Sequence, residues 1–184
     1  MSVGDLLRRL VEKLDAAGVP HMVAGSFAST YHGVPRSTQD VDVVIDPNPS
    51  GLTALLSSLP ENDYYVDADT ARDALKRRSQ FNLIDMATGW KVDLIVRKAR
   101  EFSIEEFRRR ESADLFGTHV FLATAEDSII TKLEWAKLGD SERQLRDVAG
   151  IISVRGITLD RRYIERWVAA LELDAEWRRA QAGA

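Results

Sequence analysis

The chain has 184 residues, 45% of them hydrophobic and 29% charged, with a formal net charge of -4 and no cysteine. This balance predicts a globular chain of one ordinary domain or a compact two-part fold. It excludes disulfides, thiolate zinc sites and thiol nucleophiles, and a net negative charge excludes a global electrostatic pull toward nucleic acid.

The N-terminal stretch carries charges every few residues, so it does not read as a signal peptide. No apolar run approaches the length of a membrane span. The expectation is a soluble, cytoplasmic protein with no membrane partner.

In chain order, Leu6, Leu7, Leu10, Val11 and Leu14 recur at helical spacing and predict a helix over 3–17, stopped by Gly18 and Pro20. His21 to Ala24 reads as a short strand, and Ser26 to His32 as a short helix ended by Gly33 and Pro35. Val41 to Ile45 is a strand stopped by Asp46-Pro47. Helices follow over 50–59 and 70–78. Two strands, 81–86 and 91–96, are joined by the turn Ala87-Thr88-Gly89, and 119–122 is another strand. Beyond it, 125–138, 141–154 and 160–171 all read as helices. The expected fold class is therefore α/β in the α+β sense. A mixed sheet flanked by helices occupies residues 1–122, and a helical C-terminal part, 123–184, packs on that core.

The stretch VAGSFASTYHGVPRSTQDVDVVID, residues 23–46, carries the chemistry. At Gly25-Ser26 a strand gives way to a helix. Glycine permits a sharp turn and a close ligand, and the first amides of a helix lack internal partners and attract a phosphate. Taken alone, the pair reads as well as an ordinary helix cap. Asp40 and Asp42 alternate along a strand, so their carboxylates share one face about 6.6 Å apart. Two like charges so placed favour a bound cation, and oxygen ligands suit Mg²⁺ or Mn²⁺; two solvated acids at an exposed strand start is the plainer alternative. Asp93 lies in an otherwise apolar strand, KVDLIV, where an acid needs a partner. If that strand lies beside the first, three carboxylates converge as two-metal phosphoryl transfer requires. A neighbouring Lys or Arg is the competing partner for Asp93.

The order Gly-Ser, thirteen residues, Asp-x-Asp, then a later apolar-Asp-apolar strand resembles the nucleotidyltransferase superfamily that includes DNA polymerase β. Within it, GVPRSTQD, residues 33–40, resembles the AbiEii/MenT-like branch found among toxins of bacterial toxin–antitoxin pairs. The resemblance implies metal binding by Asp40, Asp42 and Asp93, and nucleotide contacts from Gly25, Ser26 and Arg36. Members of the branch also carry a helical Lys and a later acid, matched by Lys132 and Asp147. A structural Lys132–Asp147 bridge is the alternative there. A second acid three residues on is replaced by Gly150, and Arg143 is a further candidate phosphate contact. The implied activity is transfer of a nucleoside monophosphate from an NTP to an acceptor hydroxyl. The resemblance implies RNA, tRNA 3′ ends in particular, as acceptor and a cognate antitoxin as partner; aminoglycoside-like small molecules or a protein hydroxyl are the alternative acceptors on the same catalytic core. A non-catalytic interaction protein built on the same fold is the alternative.

His21, His32 and His119 have no metal-ligand spacing, and His32 reads as a helix-end residue. Trp90, Trp135, Trp167, Trp177 and Tyr31 read as packing residues. The basic stretch 97–110 reads either as a solvated face or as a local phosphate track.

Overall fold

The computed structural model describes residues 2–184 and divides into two compact units, one of residues 2–23 and 38–122, the other of 24–37 and 123–184. The first is built on a sheet. Its helix α1 (Val3–Ala16) starts with a reciprocal cap between Ser2 and Asp5 and buries Leu6, Leu7, Leu10, Val11 and Leu14. The seven strands are β1 (His21–Val23), β2 (Asp40–Ile45), β3 (Tyr64–Val66), β4 (Gln80–Asp85), β5 (Lys91–Val96), β6 (Glu111–Leu115) and β7 (Thr118–Leu122). They form one mixed sheet in the order β3-β4-β5-β2-β1-β7-β6. The central pair, β2 and β5, runs parallel, and β1 joins β7 in parallel.

Alternation separates the two faces of the central strands. Val41, Val43 and Ile45 of β2 are buried, as are Val92, Leu94 and Val96 of β5. Their intervening neighbours, Asp40, Asp42 and Val44, alternate onto the other face with Lys91, Asp93 and Ile95. The remaining helices of this unit are α3 (Pro49–Ser57), α4 (Ala68–Arg77) and α5 (Glu101–Arg109). Helix α1 packs on β7, α4 on β4, and α3 on both α1 and α4. Beneath them, Arg9 donates to the hydroxyl of Tyr64 at 3.1 Å and to the buried carboxylate of Asp85 at 2.8 Å, tying α1 to β3 and β4.

The second unit is helical: α2 (Gly25–His32), α6 (Ala125–Gly139), α7 (Glu142–Arg155), α8 (Arg161–Ala170) and α9 (Asp174–Ala182), with a short 3₁₀ turn at Gly156–Thr158. Helix α2 belongs here although its sequence lies far from the other four, packing on α6 and α7. Thr124 caps α6 by accepting from the Asp127 amide, and the Asp127 carboxylate accepts from the Tyr163 hydroxyl at 2.5 Å, fastening α8 to α6. The approach of residues 33–34 to α7 is tight. A β-carbon at Gly33 would lie 2.8 Å from the Ile151 amide nitrogen, and one at Gly150 would lie 3.3 Å from the Val34 side chain. Gly33→Ala should therefore destabilise the protein by about 1–3 kcal/mol, since backbone must move to admit the methyl; urea denaturation measures it, and an unchanged midpoint would refute the packing argument. A side chain at 150 would press on Val34 in the same contact.

All five strands and seven helices expected from the sequence are present. The sequence reading passed over β3, β6, α5 and α9. In α5 the charged residues mask a buried stripe of Phe102, Ser103, Glu106 and Phe107. In β6, Glu111-Ser112-Ala113-Asp114-Leu115 lacks strand-forming side chains and is held by pairing with β7 around the Phe116-Gly117 turn. Two aromatic expectations are corrected. Trp135 is 53% and Tyr31 43% exposed, so neither is a core residue. His32 does take a helix-end role: it is buried, one ring nitrogen lies 2.7 Å from the Ala123 carbonyl, and the other lies 2.7 Å from the Arg155 guanidinium. Among the described residues, no helix is long and apolar enough to cross a membrane.

Candidate active site

The nine residues singled out from the sequence fall into two groups. Asp40, Asp42 and Asp93 belong to the sheet unit; Gly25, Ser26, Arg36, Lys132, Arg143 and Asp147 belong to the helical unit.

In the sheet unit, β2 and β5 run side by side with Asp42 and Asp93 as direct partners, and Asn82 of β4 stands opposite Asp93. Neighbouring strands lie about 4.8 Å apart, so two carboxylates face each other across one strand spacing. Asp93 is only 8% exposed, and its Oδ1 is buried without a hydrogen bond. The Lys91 ammonium lies 3.1 Å from that oxygen. The pair is an ion pair by distance, but its angles do not make a hydrogen bond. Asp40 sits opposite Lys91 in the register, and its Oδ1 accepts from the Thr38 hydroxyl at 2.7 Å. Among the described residues, no three His, Cys, Asp or Glu side chains are gathered closely enough to hold a metal ion. The arrangement is thus a two-carboxylate pair with Asp40 one step along the same face.

This donor set fits a small hard cation. The ligands are carboxylate oxygens on rigid strands, and one is a buried oxygen without a hydrogen bond. Mg²⁺ takes one or two protein carboxylates and completes its shell with water and phosphate. The sequence reading missed Thr38, while the neighbouring Lys or Arg weighed there as the competing partner for Asp93 is Lys91. Each stands two positions before an Asp, and period-two alternation puts Lys91 on the face of Asp93.

In the helical unit, Gly25 opens α2 at φ 58, the left-handed region that glycine enters at little cost. Ser26 follows, buried, and its hydroxyl receives Nη2 of Arg36. Nε of Arg36 donates to both oxygens of Asp147, at 3.0 and 3.1 Å, and Nη1 donates to the Ser37 carbonyl at 3.1 Å. The same carboxylate receives Nζ of Lys132 at 2.7 Å, and Gln144 accepts from that ammonium at 3.0 Å. Lys132 is 4% exposed. One acid therefore orients two cations from three elements: the loop after α2, α6 and α7. The structural Lys132–Asp147 bridge weighed from the sequence exists, and Arg36 joins it. Gln144 was not foreseen; one turn before Val148 on α7, it carried no periodic signal. Arg143 is exposed on α7, beside this network in sequence.

Neither a family model nor a curated protein matches the sequence. Solved structures do match in shape. Over 96% of this chain and 99% of the other, it is similar to ANT(2'')-Ia in complex with adenylyl-2''-tobramycin, with a TM-score of 0.61 at 12% identity. It is similar to the lincosamide antibiotic adenylyltransferase LnuA with lincomycin bound, at a TM-score of 0.54 and 11% identity, over 80% and 95% of the two chains. An antigenic nucleotidyltransferase-like protein from Paracoccidioides brasiliensis gives 0.54 at 20% identity, over 82% and 75%. The fold is that of nucleotidyltransferases. At these identities the likeness is one of architecture, and a fold hosts many functions. What the nucleotidyltransferase fold adds is a frame in which the Asp42–Asp93 pair occupies the central strands.

Proposed function

We propose that this protein is a metal-dependent nucleotidyltransferase that moves a nucleoside monophosphate from an NTP to an acceptor hydroxyl, releasing pyrophosphate. The observation that carries the reading is the register pair Asp42–Asp93, with its buried oxygen lacking a hydrogen bond, on the central strands of this fold. Asp42 and Asp93 would hold Mg²⁺ or Mn²⁺, which when bound neutralises phosphate charge, with Asp40, one step along the same face, proposed as a further ligand that reaches the ion once it is bound. Thr38 orients Asp40 by donating to it. In the transfer, the acceptor oxygen bonds to the α-phosphorus as the bridging α–β P–O bond breaks, and the electron pair leaves with pyrophosphate. Asp93 is the proposed acceptor of the hydroxyl proton.

For the helical unit we propose phosphate contacts. Gly25 and Ser26 offer the opening of α2. Arg36 and Lys132 supply positive charge, held in place by Asp147, and Arg143 is a further candidate. A guanidinium whose Nε is fixed by a carboxylate presents its remaining donors in a set direction.

The acceptor is proposed on two grounds. The AbiEii/MenT-like run at 33–40 supports RNA, tRNA ends in particular, and with it a toxin and a cognate antitoxin. The small-molecule ligands named for ANT(2'')-Ia and LnuA support a small hydroxyl compound instead. The test supplies each α-labelled NTP with Mg²⁺ or Mn²⁺, and offers total RNA or tobramycin as acceptor. Label in RNA establishes the first acceptor class and label on the aminoglycoside the second. Neither NTP binding nor transfer would leave a non-catalytic interaction protein on this fold.

A further inference from the structure

Lys91 is left unused by the reaction as described. Lys91 and Asp93 are two apart on β5, and alternation puts both side chains on the face that carries Asp40 and Asp42. The Lys91 ammonium lies 3.1 Å from Oδ1 of Asp93, with side-chain exposures of 43% and 11% for the two residues. Lys91 also stands opposite Asp40 in the β2–β5 register. A cationic head group is therefore placed at an edge of the carboxylate pair, against the buried oxygen that has no hydrogen bond.

We propose that the Lys91 ammonium is the resident counter-ion of this carboxylate site, and that a divalent cation displaces it on binding. The inference rests on the metal-site reading above. Two physical facts support displacement. Oxygen–Mg²⁺ distances are about 2.0–2.1 Å, so a metal on Oδ1 and an ammonium near 3 Å from the same atom compete for one region of space and repel each other. Lysine also has a flexible four-carbon stem and a strongly hydrated head, and this side chain is nearly half exposed, so its head can move into water while the stem stays on the strand. The resident charge keeps the buried Asp93 compensated before the metal arrives, and lowers the affinity of the site for metal afterwards.

The test is Mn²⁺ binding by the full-length protein, followed by the electron paramagnetic resonance signal of free Mn²⁺, without nucleotide. Lys91→Met should bind Mn²⁺ about tenfold more tightly than the natural protein, while Lys91→Arg, which keeps the charge, should stay within about twofold of it. In EDTA, Lys91→Met should melt below the natural protein, and saturating Mn²⁺ should raise its Tm by more, because a ligand stabilises in proportion to its binding. Lys91→Gln serves in its place should the Met variant fail to fold. Equal or weaker Mn²⁺ binding by Lys91→Met, beside a natural protein that binds, overturns the counter-ion role and leaves the metal site standing. Binding by the variant alone supports the role. Binding by neither at millimolar Mn²⁺ overturns the metal-site reading and this inference with it.

Discussion

Asp42→Asn is expected to lower nucleotide transfer by about 10²–10³-fold or more, the scale on which removing one electrostatic contact to a transition state acts. The substitution preserves shape and removes one negative charge from the pair that faces Asp93 across β2 and β5. Phosphoryl transfer depends on charge neutralisation and alignment, so losing a metal ligand should strike the rate far more than the fold. Stability should hold or rise, because like charges directly opposite on neighbouring strands destabilise a sheet. Label incorporation and a thermal melt, made on the same preparation, read both effects. A folded Asp42→Asn protein with full transfer would remove Asp42 from the chemistry. A variant that loses transfer only because it unfolds would show the loss in the melt.

Asp147→Ala carries the largest expected stability cost. The carboxylate is the shared acceptor for Arg36 and Lys132, and its own side chain is 8% exposed. Lys132, at 5% side-chain exposure, would keep Gln144 and lose this carboxylate. Breaking one partner out of a buried pair costs about 3–5 kcal/mol, because the remaining charge loses the carboxylate that offset its desolvation. Urea denaturation should show that loss, and Asp147→Asn, which retains one acceptor oxygen, should lose less. A loss below about 1 kcal/mol would mean that Lys132 and Arg36 find other partners readily. The two substitutions separate the parts of the proposal: Asp42 is expected to matter to chemistry and little to folding, Asp147 to folding first.

The elements on which the proposed chemistry stands could be read directly. The alternation of Asp40-Val41-Asp42-Val43 and the single acid in KVDLIV are local patterns, and local patterns decide which face of a strand a side chain takes. The break at Gly25 and the apolar spacing of α1 are equally local. Amphipathic runs with no charge on their buried stripe, such as α8 with Tyr163, Ile164, Trp167 and Val168, could be read from spacing. Runs such as α5, where arginines and glutamates interrupt a two-phenylalanine stripe, could not.

The sequence by itself thus determined the strand faces, the identities of the acids and the order of helices and strands. Partnerships between distant residues were decided only by the tertiary structure. That β5 lies parallel to β2 with Asp93 opposite Asp42, and not one residue out of step, is set by the pairing of strands about fifty positions apart; a slip of one residue would turn the carboxylate to the other face. That α2 groups with the C-terminal helices follows from the close fit of Gly33 and Val34 against Gly150 and Ile151. That one carboxylate serves Arg36 and Lys132, and that Lys91 is the cation beside Asp93, depends on where long, flexible side chains come to rest. Period and propensity are properties of neighbours in sequence, and charge pairing is a property of neighbours in space.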